Sequence, residues 1–505
     1  MLSTLIWFPL CGAILLGLLP AKQARPVALA IASTVFAWSV WLLTRFDLGN
    51  AGLQLRESFP WLEPLGLTYS LGVDGLSLPL IVLGSALTWI ACYCTNPSVD
   101  RPRLYYSALL LVNAAVAGAF LAQNLLLFFL FYEVELIPLY LLVGIWGGER
   151  SSFAAMKFVL YTAVSGVFIL AGFLGLTWLS GSPSFDYSDA QAAVLGLSPG
   201  LQLLLLGVLL VGFGIKAPFV PLHTWLPDTY VAASPPIAIM LGGVLAKLGN
   251  YGLFRFGLGL FPAAWGTIVP WLATWAVVTV LYGAAVAIAQ KDLKRMVAYS
   301  SIGHMGYVLL AGAAATSLSL VGGVSQMVAH GLILALLFYL VGVVEEKVGT
   351  RDLDVLNGLM HPVRGLPLMS ALLVLAGMAS AGIPGLVGFI GEFLVFQGSY
   401  SEFPLQTLLC IVGTGLTAVY FLILLNRTCF GKLDNYHAYY PKVGWGQRAP
   451  AFLLLAAIAI LGLYPTWLVR WSEATSTALV AAVPSSQPAI VRMAEAPTLE
   501  IPVYE

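Results

Sequence analysis

The chain has 505 residues, 60% of them apolar and only 9% charged, and its formal net charge is zero. Soluble domains carry roughly 25% charged residues, so a soluble globular protein is excluded. Without a basic excess nothing points to nucleic acid as a partner.

Apolar runs long enough to cross a bilayer recur along the whole length, which predicts an all-α polytopic membrane protein. Fourteen spans are expected, near 2–19, 27–44, 74–94, 104–121, 124–144, 154–180, 201–219, 235–257, 267–289, 297–315, 318–345, 366–398, 405–430 and 449–471. The first run lacks a basic leader and an A-x-A cleavage site, so it reads as a membrane helix rather than a signal peptide. Cys11, Cys92, Cys94, Cys410 and Cys429 lie in or beside apolar runs. Their spacing is no metal or redox motif, and they read as small apolar residues.

Orientation follows from the basic residues. Of the 23 Lys and Arg, sixteen lie in loops that follow odd-numbered spans, and five (Arg45, Arg56, Arg255, Arg470 and Arg492) lie on the other side. The positive-inside rule then places both termini outside, in the lumen or periplasm. Only Lys216 and Lys247 remain, and both are within spans.

Residues 45–73 form the first soluble excursion, expected to lie on the membrane with Trp61 and Tyr69. Asp74 opens the third span and reads as a helix cap. The fifth span, FFLFYEVELIPLYLL, holds Glu133 and Glu135, which point to different faces of a helix, so only one faces a given partner. Pro138 bends the helix just beyond. The seventh, GFGIKAPFVPLHTWLPD, puts Lys216 before three prolines, and the eighth carries Lys247. An intramembrane charge costs about 2.5 kcal/mol or more and marks a functional site. Helices broken by proline are tolerated where they line a protein or water cavity.

KDLKR joins spans nine and ten and reads as a surface loop; His304 and His330 lie inside spans ten and eleven. Either histidine reads equally as a packed core residue or as a proton carrier. The twelfth run, MASAGIPGLVGFIGEFLVF, is interrupted by glycines and Pro384 and holds Glu392. One interrupted span with an ionisable residue in each half suggests inverted repeats. The expected division is 1–100 for three helices and a loop, 104–257 and 267–430 for two five-span repeats, and 431–505 for the last span and a polar tail from Ser472.

The intramembrane set therefore holds acids, bases and two histidines, without a cluster of oxygen ligands. Burial disfavours a charged lysine and a nearby carboxylate restores it, so a Glu–Lys pair that opens and closes can load and unload a proton. Haem, iron–sulfur, nucleotide and metal motifs are missing from the sequence, so the energy has to come from a partner or an ion gradient.

The segments FFLFYEVELIP, FGIKAPFVPLHTWLPD, VLAKLGNYGLFR, QKDLKRMVAYSSIGHMG, MVAHGL and GFIGEF resemble the antiporter-like membrane-arm subunits of respiratory and photosynthetic complex I, of the NuoM/NdhD type. The resemblance runs through all the spans and is weakest at the ends. It implies that Glu133 partners Lys216, that Lys247 connects the two halves, that His304 and His330 relay, and that Glu392 is the terminal group. It implies proton pumping coupled to quinone reduction, with iron–sulfur clusters and plastoquinone in partner subunits and no cofactor on this chain. Expected partners are the neighbouring membrane-arm subunits, the hydrophilic electron-transfer arm and lipids, in a thylakoid membrane. Glu135 fits the photosynthetic branch, and Tyr132, where relatives often have tryptophan, hints at the variant used in carbon dioxide uptake, with a carbon dioxide-hydrating subunit. Two other readings are a gradient-driven cation/proton antiporter subunit and a scaffold that docks such a hydrating partner.

Overall fold

The computed structural model describes residues 1–433 and 439–483. Among these, eleven helices are long and apolar enough to cross a membrane, and Ser3–Leu18 and Pro367–Ser380 are shorter apolar helices. Leu293–Ala314 has the length, but it carries Lys294, Arg295 and His304 and is more polar. Two helices, Pro235–Leu258 and Ser317–Val348, are buried along their whole apolar stretch. A helix that is apolar all round belongs at the centre of a bundle. The outer helices keep apolar faces exposed, for example at Leu18, Trp178, Leu204 and Trp271.

The helices are interrupted where proline and glycine stand. Leu125–Val134 and Leu136–Trp146 meet at Glu135. Pro138 has no N–H to return to the carbonyl of Val134, which accounts for the joint. Pro199–Lys216 ends at the lysine, residues 217–224 are non-helical, and Trp225–Ala232 resumes. Pro367–Ser380 and Val387–Tyr400 flank a second break. There Gly382 and Gly385 take φ of +71° and +93°, which side chains other than glycine's resist. The eighth expected span is continuous but carries two π-helical turns, Leu241–Leu245 and Leu253–Leu258, around the regular Ala246–Gly252.

Close packing joins the broken helix to the central one. A Cβ at Gly249 would lie 2.5 Å from the amide nitrogen of Ala217, beside Lys216. Only glycine allows this approach.

Two expectations change. The excursion expected as a loop is a β-hairpin, Gln54–Leu62 against Leu67–Val73, so the fold is not wholly helical. Its turn ends in Gly66 at φ +64°, whose carbonyl accepts from Phe185 N–H at 3.3 Å. The polar tail expected from Ser472 begins inside a helix, Thr466–Ala481, with Leu468, Ser472, Thr475 and Ser476 buried. Thr475 Oγ1 accepts from Gly75 N–H at 3.0 Å, which ties this helix to the start of Ser77–Cys94. The rest of the tail, including Arg492, lies outside the described residues.

The hairpin is pinned by Glu57, which accepts from the N-terminal amine, from Leu2 N–H at 2.7 Å and from Ser3 N–H at 3.0 Å. Burial pushes the Glu57 carboxyl up, but the N-terminal amine and the bonds from Ser3 and Leu2 outweigh it, so the net displacement is downward from 4.5. A depressed folded value means that the attachment contributes fully above about 4.5 and is lost as pH falls through the lower folded value. Amide exchange in the hairpin is expected to accelerate on acidification through that range, and Glu57→Gln is expected to abolish the pH dependence. Separately, Gly249→Ala is expected to lower the amount of folded chain in the membrane, by overpacking that costs roughly 1–3 kcal/mol. Quantifying the chain in purified membranes checks it.

Candidate functional site

The break after Lys216 leaves the lysine as the last residue of its helix, and its side chain is 1% exposed. Its Nζ ion-pairs with Glu135, which is itself fully buried. The Tyr132 ring lies beneath the ammonium at 4.6 Å, and Phe158 is 6.0 Å away. Such contact with aromatic faces favours a desolvated cation. The helical turn that leads into the lysine is held as well. Trp225 Nε1 donates to the Ile215 carbonyl at 2.8 Å, and Ser165 Oγ donates to Gly212 at 2.7 Å while lying 2.6 Å from the Tyr132 hydroxyl.

This corrects one expectation. The motif assigns the partner of Lys216 to Glu133, but the ion pair is made by Glu135. Glu135 sits at the joint between the two helical segments, and the joint sets which carboxylate faces the lysine. Glu133 is turned onto Gly166, where a Cβ would overlap its carboxylate, and its Oε1 makes no hydrogen bond to the described residues.

A second group forms around the central helices. Lys247, fully buried, donates to the Gly242 carbonyl and lies 2.8 Å from His330 Nδ1. Gly242 belongs to a π-helical turn, a distortion that frees backbone groups and is frequent at functional sites. The ring centres of His330 and His304 are 5.2 Å apart. His304 Nε2 is 3.1 Å from Ser380 Oγ; its Nδ1 is 3.3 Å from Gln326 Nε2 and 3.4 Å from Glu392 Oε1. A neutral ring accepting from Gln326 can donate from Nε2 to Ser380, whereas a protonated ring can donate from Nδ1 to Glu392. Glu392 Oε2 accepts from Thr414 Oγ1 at 3.0 Å, and that hydroxyl is 3.0 Å from Tyr307 OH. Ser380 is the last helical residue before the second break, and Gly382 beyond it leaves room for the Glu392 carboxylate.

The structure therefore joins Lys247, His330, His304 and Glu392 in one run of contacts and places Lys216 with Glu135 in another. The two meet where Gly249 abuts Ala217.

Several participants escaped the sequence reading. Gln326, Ser380, Thr414 and Tyr307 are uncharged and carried no pattern. Arg255 reads as a loop cation because it stands near the end of its run, but it is 5% exposed and ion-pairs with Asp74. Asp74 also accepts from the N–H groups of Leu76 and Ser77, both at 3.1 Å, as a cap should. Lys294, another expected surface cation, is 2% exposed and donates to the Ala233 carbonyl. It lines a cleft of about 480 Å³ with Glu345, Glu346 and Arg351. His223 follows Lys216 within the break, 3% exposed, against Tyr282. Asp228 binds both Lys157 at 2.7 Å and Arg295 at 3.0 Å.

Broken membrane helices that meet at buried lysine, histidine and glutamate are the arrangement found where membrane proteins build ion paths. Residues 122–417 match the family model described as NADH:quinone oxidoreductase/Mrp antiporter, transmembrane. The chain is 40% identical to NAD(P)H-quinone oxidoreductase chain 4 1 of Synechococcus sp. strain JA-3-3Ab, over 96% of this chain and 94% of that one. It is 39% identical to chain 4 2 of Thermosynechococcus vestitus, over 97% and 94%. A chain of respiratory complex I from Thermus thermophilus superposes with a TM-score of 0.88 at 28% identity, over 96% of this chain and 100% of that one. The chain belongs to the NADH:quinone oxidoreductase/Mrp antiporter membrane family.

Removing one partner from a buried ion pair leaves an uncompensated charge and costs roughly 3–5 kcal/mol. Glu135→Gln is therefore expected to destabilise the chain, and the double variant Glu135→Gln, Lys216→Met is expected to recover much of the loss. Glu133→Gln should cost less than Glu135→Gln. Thermal melting of the detergent-solubilised protein orders the three.

Proposed function

We propose that this chain is the chain 4 type, proton-translocating membrane-arm subunit of a photosynthetic NAD(P)H- or ferredoxin–plastoquinone oxidoreductase. It would cross a thylakoid membrane fourteen times, as two inverted five-span units with flanking segments, both termini lumenal. Electron transfer, with its iron–sulfur clusters and plastoquinone, belongs to partner subunits; this chain moves the protons. The support is the continuous contact between Lys247, His330, His304 and Glu392, beside the Glu135–Lys216 pair.

The mechanism follows from charge in a dry interior. While Glu135 is paired with it, the Lys216 ammonium is compensated. When the break at 217–224 moves and the pair opens, the bare ammonium is costly and its proton is driven toward Lys247. From there the two imidazoles pass it to Glu392. Each imidazole can accept at one nitrogen while releasing from the other. One pKa unit is 1.36 kcal/mol, so a small change in pairing is enough to bias each step. Glu133, close behind, supplies a second carboxylate for the lysine.

A sodium-coupled antiporter would need a shell of oxygen ligands, whereas the axis sets a single carboxylate, Glu392, after ammonium and imidazole nitrogens. The finer reading, a complex serving carbon dioxide uptake, rests on Tyr132 beneath Lys216 and expects a carbon dioxide-hydrating subunit to co-purify through a tag on this chain.

Lys216→Met in the assembled complex is expected to lower the protons moved per electron, with quinone reduction persisting in the presence of an uncoupler. Dye-reported acidification of vesicles, against electron transfer in the same sample, measures the ratio. An unchanged ratio would sink the reading.

A further inference from the structure

The buried Asp74–Arg255 pair takes no part in the axis described above. Arg255 is on the helix that carries Lys247. Lys247 and Tyr251 stand four residues apart on the regular Ala246–Gly252 segment, so they share a face, and Arg255, in the π-helical turn that follows, reaches back to Tyr251. At 1.5 Å per residue, Arg255 lies about 12 Å beyond Lys247. Several contacts hold the guanidinium: Nε donates to Tyr251 OH at 3.2 Å, a terminal nitrogen ion-pairs with Asp74, and the Tyr187 and Tyr251 rings lie 5.5 and 5.6 Å from it. Tyr187 OH donates to the Arg255 carbonyl at 3.1 Å, and Tyr251 OH donates to the Phe120 carbonyl at 3.2 Å. The pair borders a polar cleft of about 370 Å³, rimmed by Arg56 of the hairpin, Asp186 and Thr475. By the basic-residue count this is the lumenal side.

We propose that Arg255 is a lumenal seal: its immobilised guanidinium stands between the cleft and Lys247 and keeps protons in the lumen from returning to the axis, with Asp74 and Tyr251 as the residues that position it. This rests on the proton-translocating reading above. A proton entering from the cleft meets a fixed positive charge before it reaches Tyr251 and, behind it, Lys247. An arginine placed in a narrow path raises an electrostatic barrier to protons and cations. Both Asp74 oxygens are engaged, one by Arg255 and the other by the N–H groups of Leu76 and Ser77. A pump whose central lysine exchanged freely with the lumen would dissipate its own gradient.

The test uses the whole complex in liposomes. The decay of an imposed pH gradient, without electron flow, reads the leak; redox-driven acidification of the same vesicles reads the pump. The neutral pair Asp74→Asn, Arg255→Met leaves no charge unpaired, and asparagine caps a helix as aspartate does. It is expected to speed the decay several-fold, while Arg255→Lys keeps the wild-type decay. If the neutral pair does not accumulate, Tyr251→Phe, which keeps the ring and loses the hydroxyl that orients Arg255, is expected to leak in the same direction. Wild-type decay in an assembled neutral-pair or Tyr251→Phe complex overturns the seal, as does Arg255→Lys leaking as much as the neutral pair. Absence of redox-driven acidification in wild-type vesicles instead overturns the proton-translocating reading.

Discussion

A charge in a dry, apolar interior must be compensated, and much of this structure follows from that. Lys216 is compensated by Glu135, and Arg255 by Asp74. Among the described residues Lys247 pairs with no carboxylate; it rests on the Gly242 carbonyl and His330. In the proposed cycle that difference divides the buried cations by use: the lysine with a carboxylate is the one whose pair opens, and the lysine against an imidazole is the one that hands a proton on. The arginine is suited to neither, since guanidinium does not give up its proton in proteins. It suits a fixed barrier.

Compensation needs polar atoms where regular helices offer few, and the breaks supply them. The end of the helix at Lys216 brings the lysine to the joint at Glu135. The end of the helix at Ser380 brings a hydroxyl to His304, and the glycine beyond it makes space for Glu392. The π-helical turn at Leu241–Leu245 opens the Gly242 carbonyl to Lys247. Each break therefore serves as part of the site. Each is also a place where a small backbone movement changes a pairing, which is what a translocation cycle requires.

The surroundings keep the breaks from spreading. Pro235–Leu258 and Ser317–Val348 are enclosed along their apolar lengths, so the groups they carry are reached through their neighbours. The hairpin, the Thr466–Ala481 helix and the turn before Ser77–Cys94 close one end of the bundle around Arg255, and the Lys294 cleft lies among the basic loops of the other. The axis is thus bounded by two different polar ends, one with a buried arginine and one with a buried lysine among carboxylates.

What the sequence determined by itself is what depends on composition and local chemistry. The low charge content required a membrane; the prolines after Lys216 and the glycines around Pro384 required breaks; Lys216, Lys247 and Glu392 stood out because hydrocarbon makes each expensive. The motif pattern carried the family. The tertiary structure decided which groups touch. Two glutamates two residues apart read alike until the joint at residue 135 turns one of them onto Lys216. His304 and His330 were as compatible with a packed core as with a relay until their helices brought the rings together. Arg255 looked like a loop cation because the end of a hydrophobic run does not tell how deep a side chain is buried. The hairpin is not legible because its first strand carries Pro60, Arg56 and Glu57 and is largely exposed, so it shows neither the apolar alternation nor the composition of a strand. Rotation about a helix axis, the shift at a kink and the pairing of distant segments are set by packing between elements, and no local pattern encodes them.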